Sequence, residues 1–255
     1  MTVYELSRFM NQRIPRELSC SWDNDGLMCC PDGNREVKKA LFCMDVTPDA
    51  IDRAIEGGFD VIISHHPLIF KGIKSVSGDF GIPSRIIKLI KNDISVMSFH
   101  TRFDAVDGGV NDALARVFDL SNIEKIECDG IEMMRVGDLP CELSISDFAD
   151  LVKEKIGCEH LNYASFSGKV HRLALLGGGG GSYIRDAHLA GADTYLSGEI
   201  GYHNLTDCRD MQINLVEAGH YYTEFPSLTN LAEIVNDADA NIEFEIFHTN
   251  VINNV

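Results

Sequence analysis

Short apolar runs alternate with amphipathic segments along most of the chain, and this alternation constrains the fold more than any other feature. The apolar run 40–44 leads into a helix start at Pro48, and Gly57-Gly58 is a typical helix stop. The predicted strands are 40–44, 60–64, 94–99, 170–176, 194–197, 213–217 and 242–247. The predicted helices are 3–14, 49–56, 83–91, 110–117, 146–156, 183–190, one from Gly201 onward, and 222–236.

Repeated strand–helix–strand units are typical of α/β proteins with partly parallel sheets. The middle of the chain, from 119 to 168, is less regular and interrupts this pattern. We therefore expect two α/β units. The first is predicted to comprise 1–120 and 218–255, and the second to comprise 121–217.

The charge balance limits the classes of partner. The 255 residues include 39 acidic and 22 basic side chains, which give a formal net charge of −17. Such an excess of acid argues against nonspecific binding to nucleic acid or to anionic lipid, although a local basic groove would be compatible with it. A hydrophobic fraction of 45% and a charged fraction of 24% are ordinary for a globular protein. We expect neither a nucleic-acid partner nor a membrane partner.

We expect no export signal and no membrane helix in this sequence. No stretch approaches the roughly 20 apolar residues of a membrane helix, and the N-terminal segment lacks the apolar core of a secretory signal. The eight cysteines follow neither a disulfide framework nor the paired spacing of a zinc ribbon. We expect reduced thiols and a cytoplasmic location.

Histidines and carboxylates cluster after three predicted strands, where open α/β folds usually keep their sites. The clustered residues are His65, His66, His100, Asp104, His220 and Glu224. Four imidazoles and two carboxylates are enough ligands for two divalent metals about 4 Å apart, which could activate a water molecule. A lone histidine is more often a hydrogen-bonded structural residue. The clustering favours a metal site, provided that the three clusters meet in space.

Five segments in order along the chain match the motifs of a known family. They are SWDNDGL (21–27), DVTPDAIDRAIEGGFDVIISHHPLIF (45–70), SFHTRFDAVDGGVND (98–112), LLGGGGGSYIRDAHLAGADTYLSGEIGYH (175–203) and EAGHYYTE (217–224). With them the chain resembles the GTP cyclohydrolase I type 2 homolog family, the Nif-three-like or YbgI-like dinuclear metal proteins. The resemblance implies a Nif-three-like α/β fold in which two α/β units flank a dinuclear metal cleft.

The resemblance also implies the metal ligands. They are His65, His66, Asp104, His220 and Glu224. Glu224 would bridge the two ions, His65 and Asp104 would complete one of them, and His66 and His220 the other. Two divalent ions per chain follow, and the mixed ligand set admits iron, zinc, manganese or nickel.

Further residues of the motifs are candidates for substrate binding. Asp23 and Asn24 could orient a substrate, or could bond their own backbone in a turn. Arg102 stands where the family often has asparagine, which puts the substrate contacts there in doubt. Gly178 and Gly179 belong to a glycine run whose amides could hold an anion, or which could be a flexible strand-to-helix turn.

Three residues are candidates for catalysis. Glu199 and His203 are four residues apart, so on a helix they would share a face and could transfer protons; a capped helix start with a solvated histidine is the alternative. His100 lies next to the metal-ligand motif and is expected to orient a ligand or contact the substrate.

The sequence and the resemblance together predict a metal-dependent hydrolase acting on a nucleotide or a related cyclic C–N or phosphoester substrate. The alternative is a noncatalytic metal-binding adaptor or regulatory protein. The resemblance implies a homohexameric ring, which suits both. The net charge of −17 does not favour capture of an anionic nucleotide, so the metals, the glycine run and Arg102 would have to supply a local positive field.

Overall fold

The computed structural model describes residues 1–78 and 80–252, and these form two compact units with one β-sheet each. The first unit comprises Met1–Val106 and Leu228–Val251, and the second comprises Asp107–Ser227 together with Ile252. The alternation pattern predicts boundaries after residues 120 and 217. The predicted α/β class is confirmed.

Strands and helices follow each other along the whole chain. The strands are β1 (Gly26–Cys29), β2 (Lys39–Cys43), β3 (Val61–Ser64), β4 (Ser95–Ser98), β5 (Ser121–Cys128), β6 (Ile131–Leu143), β7 (Asn162–Ala164), β8 (Val170–Leu176), β9 (Thr194–Ser197), β10 (Asn214–Glu217) and β11 (Glu243–Ile246). The helices are α1 (Val3–Arg13), α2 (Pro48–Gly57), α3 (Gly81–Lys91), α4 (Thr101–Ala105), α5 (Val110–Val117), α6 (Ile145–Ile156), α7 (Ile184–Leu189), α8 (Tyr202–Met211), α9 (His220–Glu224) and α10 (Ser227–Ala238).

The first unit has a five-stranded sheet in the order β1-β4-β3-β2-β11. Strands β4, β3, β2 and β11 run parallel, whereas β1 pairs with β4 in the antiparallel sense. Every residue of β3 and β4 is buried, as expected for central parallel strands covered on both faces. The side chain of Thr47 caps α2 by accepting a hydrogen bond from the amide of Ala50, and Gly58 ends this helix in the left-handed conformation.

The second unit has a six-stranded sheet in the order β5-β6-β8-β9-β10-β7. Its central strands β8, β9 and β10 are parallel, while β5, β6 and β7 pair in the antiparallel sense. The apolar side chains of β8 and β9 pack into the core with those of α5 and α6. In each unit the carboxyl ends of the parallel strands therefore lie side by side, and these ends position the candidate ligands.

The structure departs from the predicted elements in several places, and the irregular middle of the chain holds three strands, β5, β6 and β7. Strand β1 and helix α4 were not predicted, because both are short and rich in polar neighbours. The predicted helix 222–236 is two helices, α9 and α10, separated at Phe225 and Pro226. Proline has no amide hydrogen and its ring collides with the carbonyl four residues earlier, which explains the break.

Within residues 1–78 and 80–252, the structure contains no helix with the length and apolar character needed to cross a membrane.

Candidate metal centre

In the first unit, the candidate ligands follow the carboxyl ends of adjacent parallel strands. Asp45 follows β2, His65 and His66 follow β3, and His100 follows β4. Because β2 pairs with β3 and β3 with β4 in parallel register, these ends lie next to one another. The parallel sheet thus brings together residues that are far apart in sequence.

Each histidine of this cluster presents Nδ1 to an oxygen acceptor. His65 Nδ1–H donates to the carbonyl oxygen of Phe99 at 2.9 Å, and His66 Nδ1–H donates to Asp45 Oδ1 at 2.9 Å. His100 Nδ1 lies 2.8 Å from Asp23 Oδ1. A carbonyl or carboxylate oxygen can only accept, so the proton of each neutral ring is on Nδ1 and the lone pair is on Nε2. This is the tautomer in which metal-binding histidines are usually held.

The same three histidines could share one ion. Ligand atoms of His65, His66 and His100 lie within 4.8 Å of one another. In addition, His65 Nε2 lies 3.6 Å from Asp104 Oδ1. With the His65 proton on Nδ1, two electron-rich atoms face each other across this distance, and either a cation or a second proton would stabilise them. The donor set therefore fits a divalent metal.

In the second unit, His220 and Glu224 lie on α9, four residues apart, with His220 Nε2 3.3 Å from Glu224 Oε1. The other ring nitrogen, Nδ1, lies 3.4 Å from Glu199 Oε2. The side chain of Glu224 is buried, whereas that of Glu199 is 69% exposed. His220 and Glu224 therefore share one face of α9, and His220 again directs Nδ1 at an oxygen.

Gly178, in the glycine run after β8, lies against these two side chains. Gly178 has a φ of 67°, and a Cβ at this position would lie 2.1 Å from Glu224 Oε1 and 3.1 Å from His220 Nε2. Its amide donates to Thr223 Oγ1 at 3.1 Å, and its carbonyl accepts from the amide of Glu199 at 2.8 Å. Only glycine fits this position without displacing the Glu224 carboxylate. At Gly179, by contrast, the described residues leave open space within 4 Å of the position that a Cβ would take.

Asp23 ties the loop before β1 to the start of α4. Its carboxylate accepts hydrogen bonds from His100 Nδ1 at 2.8 Å and from Thr101, through the amide at 3.1 Å and Oγ1 at 2.6 Å. Burial alone would raise the pKa of Asp23, but the hydrogen bonds from His100 and Thr101 outweigh it and lower the pKa from 3.8 to about 2. The carboxylate therefore stays ionised and holds the His100 ring in place.

Replacing Asp23 by asparagine is expected to lower the free energy of unfolding by about 2 kcal/mol at neutral pH. Because the folded pKa is lowered to about 2, this contribution is complete above about pH 4 and disappears as the pH falls towards 2. Urea unfolding of Asp23→Asn at pH 7 and pH 3 would measure it, with the exposed Asp207→Asn as the control. A difference of equal size at both pH values would contradict this prediction.

Arg102, predicted as a substrate contact, is a fully buried member of an ion pair. Its Nε donates to Asp25 Oδ2 at 2.8 Å, while NH1 donates to Asn11 Oδ1 at 2.7 Å and to the carbonyl oxygen of Ile14 at 2.9 Å. Its guanidinium also lies over the Phe99 ring, 4.7 Å from the centroid. These contacts are typical of a residue that holds the fold together.

The other predicted residues lie at the surface. Asn24 is exposed and donates from its side-chain amide to the carbonyl oxygen of Ile69. His203 is exposed on α8 next to Tyr202. Glu199 precedes α8, so it does not share a helical face with His203, and the structure brings it to His220 instead.

Two contributors were missed from the sequence. Asp45 lies between the apolar run 40–44 and the helix start at Pro48, so it follows a strand just as the predicted ligands do, and its carboxylate accepts from His66. Applying the strand-end rule to β2 would have found it. The role of the Phe99 carbonyl could not be predicted from the sequence, because every residue has a backbone carbonyl and residue type does not reveal which one accepts a hydrogen bond.

Comparison with known proteins agrees with this architecture. A protein of Clostridium perfringens named GTP cyclohydrolase 1 type 2 homolog is 32% identical to this chain over 250 residues. The alignment covers 96% of this chain and 95% of the relative. A hypothetical protein of Staphylococcus aureus has a similar solved structure, with a TM-score of 0.88, 28% identity and coverage of 97% and 96%. The Bacillus cereus protein related to NIF3 is similar in fold, with a TM-score of 0.90, 23% identity and coverage of 100% and 99%.

The fold and the donor groups define a two-sheet α/β protein with histidine and carboxylate clusters that could bind metal. The chain belongs to the Duf34/NIF3 (NGG1p interacting factor 3) family, whose model matches residues 1–255. The resemblance inferred from the five sequence segments is thereby confirmed.

Proposed function

We propose that the chain binds two divalent metal ions and hydrolyses a nucleotide or a related small molecule with a cyclic C–N or phosphoester bond. The proposed ligands are His65, His66, Asp104, His220 and Glu224, with Glu224 bridging the two ions as the resemblance implies. The relative's name, GTP cyclohydrolase 1 type 2 homolog, supports a nucleotide as the substrate.

One observation carries the proposal. Four histidines place Nδ1 close to an oxygen of Phe99, Asp45, Asp23 or Glu199, at distances of 2.9, 2.9, 2.8 and 3.4 Å. Structural histidines use either ring nitrogen, so the repetition of one orientation favours Nε2 being kept for a metal in the proposed ligands His65, His66 and His220. His100 shares this orientation but is not one of the proposed ligands. Imidazole with carboxylate suits iron, zinc, manganese or nickel.

The residues around these histidines have distinct roles in the proposal. Ions bound there would polarise a substrate oxygen and lower the pKa of a water molecule. Asp45 and Asp23 hold the rings of His66 and His100 by accepting from Nδ1. Glu199, which is exposed beside His220, is placed to exchange protons with solvent and is the proposed general acid or base, with His100 as the second candidate. His203 lacks comparable support.

We expect the purified, metal-loaded protein to contain about two divalent ions per chain by elemental analysis. Replacing His65 by alanine or Glu224 by glutamine is expected to reduce this number by one or more, because each removes a ligand from a small set. The exposed His160→Ala variant is the control and should keep both ions. Fewer than one ion per chain in the unmodified protein would contradict the dinuclear site.

A turnover assay distinguishes the proposed enzyme from the noncatalytic metal-binding alternative. The metal-loaded protein should convert GTP or a member of a phosphoester panel, and Glu224→Gln should abolish that activity while His160→Ala retains it. Full metal content without turnover on a broad panel would instead support a metal-binding adaptor or regulatory protein.

The proposal includes the assembly and location implied by the resemblance. We expect a homohexameric ring in the cytoplasm, with a small molecule rather than a nucleic acid as the ligand. Light scattering on the metal-loaded protein would measure its mass, and a monomer would contradict the ring.

A further inference from the structure

Two large aromatic side chains are exposed beside the three-histidine cluster. Trp22, the only tryptophan in the sequence, is 61% exposed, and Phe70 is 44% exposed. Exposing two neighbouring aromatic rings to water costs free energy that burial of either ring would recover. Neither ring belongs to the ligand set proposed above, so their location needs a separate explanation.

The two rings form a surface with His100. The centroids of Trp22 and Phe70 are 6.0 Å apart, and those of each with His100 are 6.2 Å and 6.0 Å apart. All three pairs are arranged edge to face, at interplanar angles of 78°, 71° and 90°. We call the pair Trp22 and Phe70 the aromatic platform. Its rings contact the same histidine that belongs to the candidate metal cluster.

Hydrogen bonds fix the two loops that carry the platform. The amide of Asp23, next to Trp22, donates to the carbonyl oxygen of Cys20 at 2.9 Å and closes a turn. The Asp23 carboxylate accepts from His100, and Asn24 donates to the carbonyl oxygen of Ile69, which precedes Phe70. Asp23 and Asn24, which follow Trp22, are therefore hydrogen-bonded to His100 and to the residue that precedes Phe70. A ligand would meet a surface already in place, which lowers the entropic cost of binding.

We propose that the aromatic platform of Trp22 and Phe70 stacks a planar nitrogen heterocycle of the substrate beside the three-histidine cluster. This inference rests on the proposed function, because it places the ring of a substrate whose reacting bond would lie at the metals. An exposed ring face accepts any flat heterocycle, since stacking depends little on hydrogen-bonding pattern. It also acts without positive charge, which suits a chain with a net charge of −17.

The sole tryptophan makes the test direct. Guanosine, adenosine and cytidine are titrated into the metal-loaded protein while acrylamide quenching of Trp22 fluorescence is measured. A stacked base covers the indole, so at least one nucleoside should protect Trp22 from acrylamide, whereas inorganic triphosphate and ribose should not. No protection by any of the three nucleosides overturns the proposal.

Paired variants test the contribution of the second ring. Phe70→Ala is expected to weaken nucleoside binding about tenfold by calorimetry, the size that base–aromatic stacking supports. Phe244→Ala is the matched control, because Phe244 is 52% exposed and also packs edge to face on another ring, that of Phe42. Phe244 lies in β11, the edge strand on the side of the sheet away from β1. Equal affinities for both variants would overturn the proposal.

Trp22→Ala and Trp22→Phe test whether any aromatic ring at position 22 supports nucleoside binding or whether the indole itself is needed. The alanine variant should lose about as much affinity as Phe70→Ala, and the phenylalanine variant should recover most of it. Metal content is measured on the same samples. Two ions per chain without nucleoside binding would reject the platform and leave the proposed function standing. Nucleoside protection of Trp22 in a chain that binds no metal would reject the proposed function and keep the platform.

Discussion

Replacing Gly178 by alanine is expected to weaken metal binding by about 10–100-fold, the range seen when groups that orient metal ligands are changed. The added Cβ would lie 2.1 Å from Glu224 Oε1 and 3.1 Å from His220 Nε2. The closest atom is the end of a flexible side chain, so the fold should survive while the carboxylate moves. Because Glu224 is the proposed bridging ligand, its displacement should affect both ions. Calorimetric metal titration measures the loss.

Two glycines provide matched controls for this variant. Gly179→Ala adds a methyl group at the neighbouring position, where the described part of the chain leaves space. Gly58→Ala places alanine at a φ of 64°, close to the 67° of Gly178, but without a nearby atom among the described residues. It should lose about 1 kcal/mol of stability from backbone strain and bind metal normally. Weak metal binding by Gly58→Ala, or normal binding by Gly178→Ala, would contradict the carboxylate clash.

The strand–helix alternation was sufficient to predict most of the fold. The limits of α5, β8 and β9 match the predicted segments, because each is an unbroken apolar or amphipathic pattern bounded by polar residues or glycine. Strand β1 was not predicted, because its four residues follow a polar turn and pair in the antiparallel sense with β4 alone. Its pairing depends on a strand far away in sequence, which local periodicity does not encode.

The candidate site was predictable to the extent that residue type determines chemistry. Histidines and carboxylates after strands could be selected because imidazole and carboxylate groups are common ligands of divalent metals and because parallel strands align their ends. Arg102 shows the limit. Its charge and its place in a motif suggested contact with an anion, whereas its burial against Asp25 depends on the packing of α1 and the loop before β1. Nothing in the residue type distinguishes these two environments.

Replacing Arg102 by methionine is expected to lower the free energy of unfolding by about 3–5 kcal/mol, since it leaves the Asp25 carboxylate buried without its cation. The side chains of both residues are almost fully buried, and Nε and Oδ2 are 2.8 Å apart. Removing both charges in the double variant Asp25→Asn with Arg102→Met should recover part of the loss, because an uncompensated buried charge costs more than a neutral pair. Urea unfolding of the single and double variants measures both effects.

The exposed ion pair Arg13–Asp237 is the matched control, because its partners are 3.1 Å apart but half exposed. Arg13→Met should change stability by no more than about 0.5 kcal/mol, since solvent screens an exposed pair. The comparison also separates the two interpretations of Arg102. A substrate contact would lose ligand affinity at nearly unchanged stability, whereas the buried pair requires a large loss of stability. A cost below about 1 kcal/mol for Arg102→Met would contradict the structural role, because removing one partner of a buried pair leaves a charge that the interior cannot solvate.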